Sequence, residues 1–199
     1  MSIEVASLGV QVHGGMGFIE ETGAAQYYRD ARILPIYEGT TAIQANDLVG
    51  RKTARDGGQT AKAIAVQIAT TEGELAQLDT AEARAVLKRL AAARQAFIEV
   101  VDFVAGNTKA SPNAVFAGSV PYLMLAGNLM AGWQMARSLL AAQRLLAQPD
   151  TGGEDPNFLR AKIATARFYA EHIMTAVPGL RDAIVDGADS VTALPVDAY

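Results

Sequence analysis

Val86-Leu87-Lys88-Arg89-Leu90-Ala91-Ala92-Ala93-Arg94-Gln95-Ala96-Phe97-Ile98-Glu99-Val100-Val101-Asp102-Phe103-Val104 carries the pattern that decides the fold. Val86, Leu90, Phe97, Val101 and Val104 recur at intervals of 4, 7, 4 and 3 residues. That spacing puts them on one stripe of an α-helix, with Arg84, Lys88 and Glu99 elsewhere around it. Similar patterns cover about 59–78, 81–105, 119–148 and 156–177, and a shorter helix follows at about 180–191. Ser119 with Pro121 in the first turn marks a helix start, and Gly152-Gly153 between Pro149 and Pro156 marks a loop. Pro178-Gly179 is expected to stop the fourth helix. Short connections between amphipathic helices predict an antiparallel bundle. Its core should include Val86, Leu90, Phe97, Leu125, Leu129, Trp133, Ile163 and Ile173, with Met130 and Met135 packed alongside. The fold class is all-α.

Composition agrees. Half of the 199 residues are apolar while aromatics make up only 7%, a balance that suits helices packed through small side chains. The net charge of -4, with no block among the 17 Lys and Arg, argues against a nucleic-acid partner, because phosphate binding needs clustered positive charge. The chain has no cysteine, so a disulfide framework, a thiolate nucleophile and a Cys-based metal site are excluded. The uncharged stretch from Ala110 to Ala136 is interrupted by Pro112, Asn113, Pro121 and Asn128, and reads as a buried core helix, not as a membrane span. Met1-Ser2-Ile3-Glu4-Val5 shows no signal-peptide pattern. A cytoplasmic location is expected.

Nearer the N-terminus, Ile3, Leu8 and Val12 have helical spacing, and Gly14-Gly15 stops that helix. A second helix is expected from Thr22, as N-cap, to Ala31, ended by Pro35. A third should run from Thr40 or Thr41 to about Thr53, which leaves Glu38 on a short loop just ahead of it. Asp56-Gly57-Gly58 is the strongest boundary signal, giving domains 1–55 and 56–199.

Two segments in the first domain could carry chemistry. Gly14-Gly15-Met16-Gly17 is either a helix stop or a turn that lets a ligand approach backbone amides; it is not the dinucleotide fingerprint, since no strand precedes it. Glu38, in Ile36-Tyr37-Glu38-Gly39-Thr40, is by itself an ordinary surface carboxylate. His13 and His172 lie far apart without carboxylates at ligand spacing, so no metal site is expected, and His172 reads as a partly buried structural residue. Glu20-Glu21 precede the Thr22 cap, where negative charge is favoured. Arg29, Asp30 and Arg32 suit local ion pairs.

Taken together and in this order, Gln11-Val12-His13-Gly14-Gly15-Met16-Gly17 and Tyr37-Glu38-Gly39-Thr40 resemble the C-terminal part of the acyl-CoA dehydrogenases. The resemblance is specific over Glu4 to Arg55 and looser beyond. It leans toward the long-form subgroup, which carries an extra helical domain and includes enzymes acting on methylthiopropanoyl-CoA. It implies FAD as cofactor, an acyl-CoA as substrate, electron-transfer flavoprotein as electron acceptor and a homo-oligomer. By the same resemblance Glu38 is the base that removes the α proton, and Gly39 leaves room for the acyl thioester. Gln11, Val12, His13, Gly14 and Gly15 would contact the adenosine and pyrophosphate side of FAD, usually that of a neighbouring subunit. Thr40, Thr41 and Gln44 would touch the flavin or its ribityl-phosphate arm. Family members also possess an N-terminal helical domain and a β-barrel, so the chain is expected to be a C-terminal portion, inactive alone. The rival expectation is a non-catalytic helical oligomerisation or interaction module.

Overall fold

The computed structural model describes residues 2–191 and 193–198. Among these the regular structure is helical, with no strand. The chain forms two units, residues 1–44 and 45–199. Residues 45–55, which the Asp56 boundary signal grouped with the N-terminal segment, therefore pack with the later helices.

In the first unit, α1 (Ser2–Val12), α2 (Gly15–Phe18) and α3 (Ala24–Arg32) pack together. Gly17 is buried against α1, where a Cβ would lie 2.2 Å from the Val10 carbonyl oxygen. This glycine is needed for packing. Thr22 does not cap α3 as expected. Its hydroxyl donates to the Met16 carbonyl at 2.6 Å, and the helix starts after Gly23, whose φ of 77° suits a residue without Cβ. The polar side chains of α3 form a local chain: Arg29 bonds Gln26 and pairs with Glu20, while Gln26 bonds Asp30.

The second unit opens with the end of α4 (Thr41–Asp47), which runs into a π-helical turn, Leu48–Thr53. The wider turn buries both Val49 and Thr53, and the Thr53 hydroxyl lies 2.9 Å from that of buried Tyr122. Gly57 and Gly58, with φ of 66° and 81°, lead into α5 (Gln59–Leu75). Then come α6 (Ala81–Asn107), short α7 (Pro112–Ala117), α8 (Ser119–Leu146) and α9 (Pro156–Phe168). Thr80 caps α6, accepting from the Ala83 amide, and Asp155 caps α9, accepting from Asn157.

Specific pairs fix the register. Glu72 of α5 takes a bidentate bond from Arg94 of α6 at 2.7 and 2.9 Å. Phe97 lies against Tyr122, and Gln143 reaches back to Thr80, so α6 and α8 run antiparallel. Trp133 donates to Thr71 at 2.8 Å. The result is the expected antiparallel bundle. Val86, Leu90, Phe97, Leu125 and Leu129 are buried, while Trp133, Ile163, Ile173, Met130 and Met135 pack around them partly covered. Truncating one of the buried leucines to Ala would cost about 2–5 kcal/mol.

Pro178 does not stop the last long helix. A π turn (Tyr169–Ile173) and a 3-10 turn (Met174–Ala176) end α9, and Pro178 sits in the first turn of α10 (Val177–Val185), where a missing N–H costs nothing. The short α11 (Ala188–Val191) follows. His172 is exposed, not partly buried, and stacks on Phe168 with centroids 4.5 Å apart. No described helix is long and apolar enough to cross a membrane.

Candidate functional site

The loop between α3 and α4 presents Glu38. Helical turns continue past Arg32 and past Pro35, which itself has no N–H to donate, with the Ile36 and Tyr37 amides bonding the Ile33 carbonyl. The chain reverses through two successive left-handed residues, Glu38 at φ 53° and Gly39 at φ 93°. A non-glycine residue there carries backbone strain of about 1 kcal/mol or more. Two bonds hold it. The Gln44 side-chain amide donates to the Glu38 carbonyl at 2.8 Å, and the Thr41 amide donates to the Pro35 carbonyl at 3.1 Å.

The Glu38 carboxylate makes no hydrogen bond or ion pair among the described residues, and it is exposed. Its neighbours in sequence form an apolar rim: Ile33, Leu34, Ile36, Tyr37 and Ile43 are each roughly half exposed. Large uncovered apolar side chains recur through residues 1–44, among them Val12 at 85% and Phe18 at 83%. Such a concentration marks a surface that meets a ligand or another protein surface.

The second candidate segment is the turn after α1. Gln11, Val12, His13, Gly14 and Gly15 are all exposed. Gly14 takes φ 60°, ψ -140°, and a Cβ at Gly14 or Gly15 would meet nothing within 4 Å. The His13 Nδ1 faces the Gly9 carbonyl at 2.9 Å. A carbonyl only accepts, so in this bond Nδ1 carries the proton, and Nε2 makes no hydrogen bond among the described residues. A groove of about 250 Å³ beside it is lined by Ala6, Gly9, His13, Thr22, Ala24 and Tyr27.

Thr40 and Thr41 flank the start of α4, and Gln44 lies one turn in. Gln44 is not wholly available to a ligand. Its amide nitrogen is committed to Glu38, which leaves its oxygen as acceptor. Its role in shaping the Glu38 loop was missed in the sequence, though its position three residues after Thr41 was the available signal. A Cβ on Gly39 would sit 3.3 Å from the Gln44 nitrogen, a tight contact that the side chain would have to ease by a few tenths of an ångström, and φ of 93° strains any other residue there.

In the second unit a cationic depression of about 500 Å³ has Arg51, Arg55 and Lys109 on its walls. Arg51 pairs with Asp47 at 3.0 Å, whereas Arg55 and Lys109 have no ion pair among the described residues. This cluster was also missed, because Lys109 is distant in sequence from the other two. Among the described residues no three His, Asp or Glu side chains gather as a metal site.

Comparison with known proteins places these segments. The family model described as acetyl-CoA dehydrogenase C-terminal like matches residues 60–195, and that of the acyl-CoA dehydrogenase C-terminal domain matches residues 1–52. The chain is 56% identical over 190 residues to the 3-methylmercaptopropionyl-CoA dehydrogenase of Ruegeria pomeroyi, covering 96% of this chain and 32% of that protein. It is 33% identical over 188 residues to the broad-specificity linear acyl-CoA dehydrogenase FadE5 of Mycobacterium tuberculosis, covering 88% of this chain and 29% of that one. A shorter match, 46% identical over 41 residues, is to the caffeyl-CoA reductase-Etf complex subunit CarC of Acetobacterium woodii, with 21% of this chain and 11% of that protein covered. The chain thus spans about a third of the length of the first two relatives. The family models between them cover nearly all of its residues, and the chain belongs to the acyl-CoA dehydrogenase family.

Proposed function

We propose that this chain is the C-terminal portion of an FAD-dependent oxidoreductase that desaturates an acyl-CoA thioester between its α and β carbons, with Glu38 as the base. The observation that carries this reading is the presentation of Glu38. An unpaired carboxylate is held at a strained left-handed position, on a loop tied by Gln44 and Thr41, within an apolar rim.

The residues present fit a flavin dinucleotide. Gln11 to Gly15 form an exposed, uncharged turn whose glycines admit a ligand up to the backbone, and His13 offers a free ring nitrogen to it. Thr40, Thr41 and the Gln44 side-chain oxygen supply neutral polar groups beside Glu38. FAD, when bound, accepts the hydride from the β carbon. Glu38 takes the α proton, a task that demands an ionised carboxylate aimed at one carbon and shielded from water. Gly39 keeps the loop open to the thioester. The rim of Ile36, Tyr37 and Ile43 offers apolar cover for the acyl chain once both are enclosed.

The relatives' names make a 3-methylmercaptopropionyl or linear acyl-CoA the first substrate to try. Electron-transfer flavoprotein is the acceptor proposed, in keeping with a relative named as an Etf complex subunit. Residues 1–55 carry the reacting loop and the FAD turn, and residues 56–199 the additional helical domain. A homo-oligomer in the cytoplasm, serving acyl-chain β-oxidation, completes the reading.

The test is to purify the full-length enzyme and add a series of acyl-CoAs anaerobically while following flavin absorbance. Substrate-dependent bleaching is expected. A flavin-free protein, or one that no acyl-CoA reduces, would favour the helical interaction module instead.

A further inference from the structure

A groove between α5 and α8 gathers donors that find no acceptor among the described residues. Its wider end, about 580 Å³, has Thr71, Gln134, Arg137 and Ser138 on its walls. Thr71 is only 6% exposed, yet its hydroxyl serves solely as an acceptor, taking the Trp133 N–H at 2.8 Å. Its own proton has no partner among the described residues. A buried donor left so is costly, and a ligand oxygen in the groove would satisfy it. Arg137 is the second unmatched group. Its guanidinium carbon lies 5.7 Å from the Trp133 ring centre, and it donates to the Gln134 side-chain oxygen at 2.9 Å. These contacts hold the cation in place, but among the described residues no carboxylate pairs with it. Half-buried Ser138 makes no side-chain hydrogen bond among the described residues. The one carboxylate on these walls, that of Glu74, is taken up by Arg144.

We propose that this groove binds an aliphatic monocarboxylate. A carboxylate accepts hydrogen bonds and donates none, so it suits a wall that offers two hydroxyl protons and one unbalanced guanidinium. A single negative charge is matched by Arg137. A second would meet the Glu74 carboxylate, which disfavours a phosphate dianion. Beyond the Glu74–Arg144 pair the groove continues as a hollow of about 550 Å³, which shares Leu140 with the first and adds Leu78 and Ala147. Ser138 and Ala147 are 9 residues apart, or roughly 14 Å along α8 at about 1.5 Å per residue. An apolar chain running from the head site covers Leu140 and Leu78 over that distance, whereas the short side chain of an acidic protein partner would leave them bare. The site lies wholly within the second unit and does not depend on the chemistry of Glu38.

Trp133 is the single tryptophan of the chain, so its emission reports on this groove. Titrating the 199-residue chain with octanoate, below micelle-forming concentrations, should change that emission saturably, and calorimetry should give the same Kd. Octanamide keeps the shape and loses the charge, so it should bind about tenfold more weakly. Butanoate, too short for the second hollow, should also bind more weakly than octanoate. Arg137→Gln should raise the octanoate Kd about tenfold, and Ser138→Ala about threefold. Lys162→Gln, which removes a cation lying over Phe158 on α9, should leave it unchanged. Circular dichroism confirms that each variant keeps its helices. The absence of a saturable response, octanamide or butanoate binding as tightly as octanoate, or an unaltered Kd in Arg137→Gln would overturn the proposal.

Discussion

The side-chain amide of Gln44 donates to the backbone carbonyl of Glu38 at 2.8 Å, so a residue one turn into α4 fixes the conformation of the proposed base. Gln44→Leu removes that tie while keeping side-chain bulk. A neutral hydrogen bond is worth about 1 kcal/mol, and loss of alignment adds to it, so kcat of the full-length enzyme should fall roughly 10-fold. Single-turnover flavin reduction, with FAD content measured in parallel, checks this. Unchanged reduction would mean the loop is held by other means.

How much of this could be read in the sequence depended on whether a feature is local. The stripe from Val86 to Val104 is a periodicity, and it translated directly into the buried face of α6. The π turn at Leu48–Thr53 has no such signature. It goes with a contact distant in sequence, the Thr53 hydroxyl meeting that of Tyr122, 69 residues away. Pro178 read as a stop because proline ends a helix already under way; the π turn before it had ended α9, which left proline free to begin α10. Thr22 was misread for a related reason, since a hydroxyl can donate as well as accept, and the nearby Met16 carbonyl took its proton. In residues 1–44 the two candidate segments were legible by resemblance. Their exposure was not, because a helical stripe such as Leu8 and Val12 gives no sign of what covers it.

Adjacent glycines at the start of α5 should differ sharply in tolerance. Both have left-handed φ, but a Cβ on Gly57 meets nothing within 4 Å, whereas one on Gly58 would lie 2.5 Å from Val101 Cγ1 in the core. Gly57→Ala should cost about 1 kcal/mol from backbone strain alone. Gly58→Ala adds overpacking and should cost about 2–4 kcal/mol. Urea denaturation of both variants measures the gap. Equal losses would contradict it.

Asp56 should make this junction acid-sensitive. Its carboxylate accepts from the Thr60 hydroxyl at 2.6 Å and from the Thr60 and Gly58 amides at 3.0 Å. The Thr60 hydroxyl, above all, and these amides hold its pKa below the ordinary 3.8. A group whose pKa is lowered on folding contributes stability that is complete above the unfolded value and fades as pH falls through the folded one. Asp56→Asn should therefore lower Tm near neutrality, and its difference from the parent chain should shrink between about pH 4 and pH 2. A difference independent of pH would rule out the carboxylate as the cause.

The 199-residue chain alone should neither retain FAD nor reduce it with any acyl-CoA. Glu38 and the Gln11 to Gly15 turn are both on open surface, and misplacing reacting groups by ~1 Å can cost 10²-fold. Calorimetry with FAD, followed by addition of acyl-CoAs, reads this out. Tight binding or bleaching would show that the chain builds a site by itself.

Removal of the α proton by Glu38 is tested by the rate of flavin reduction in full-length enzyme carrying Glu38→Gln. The substitution nearly preserves shape and removes the basic oxygen, so FAD and acyl-CoA should still bind while anaerobic reduction slows by ~10²-fold or more. Reduction at a near-normal rate would contradict the assignment and move the base elsewhere.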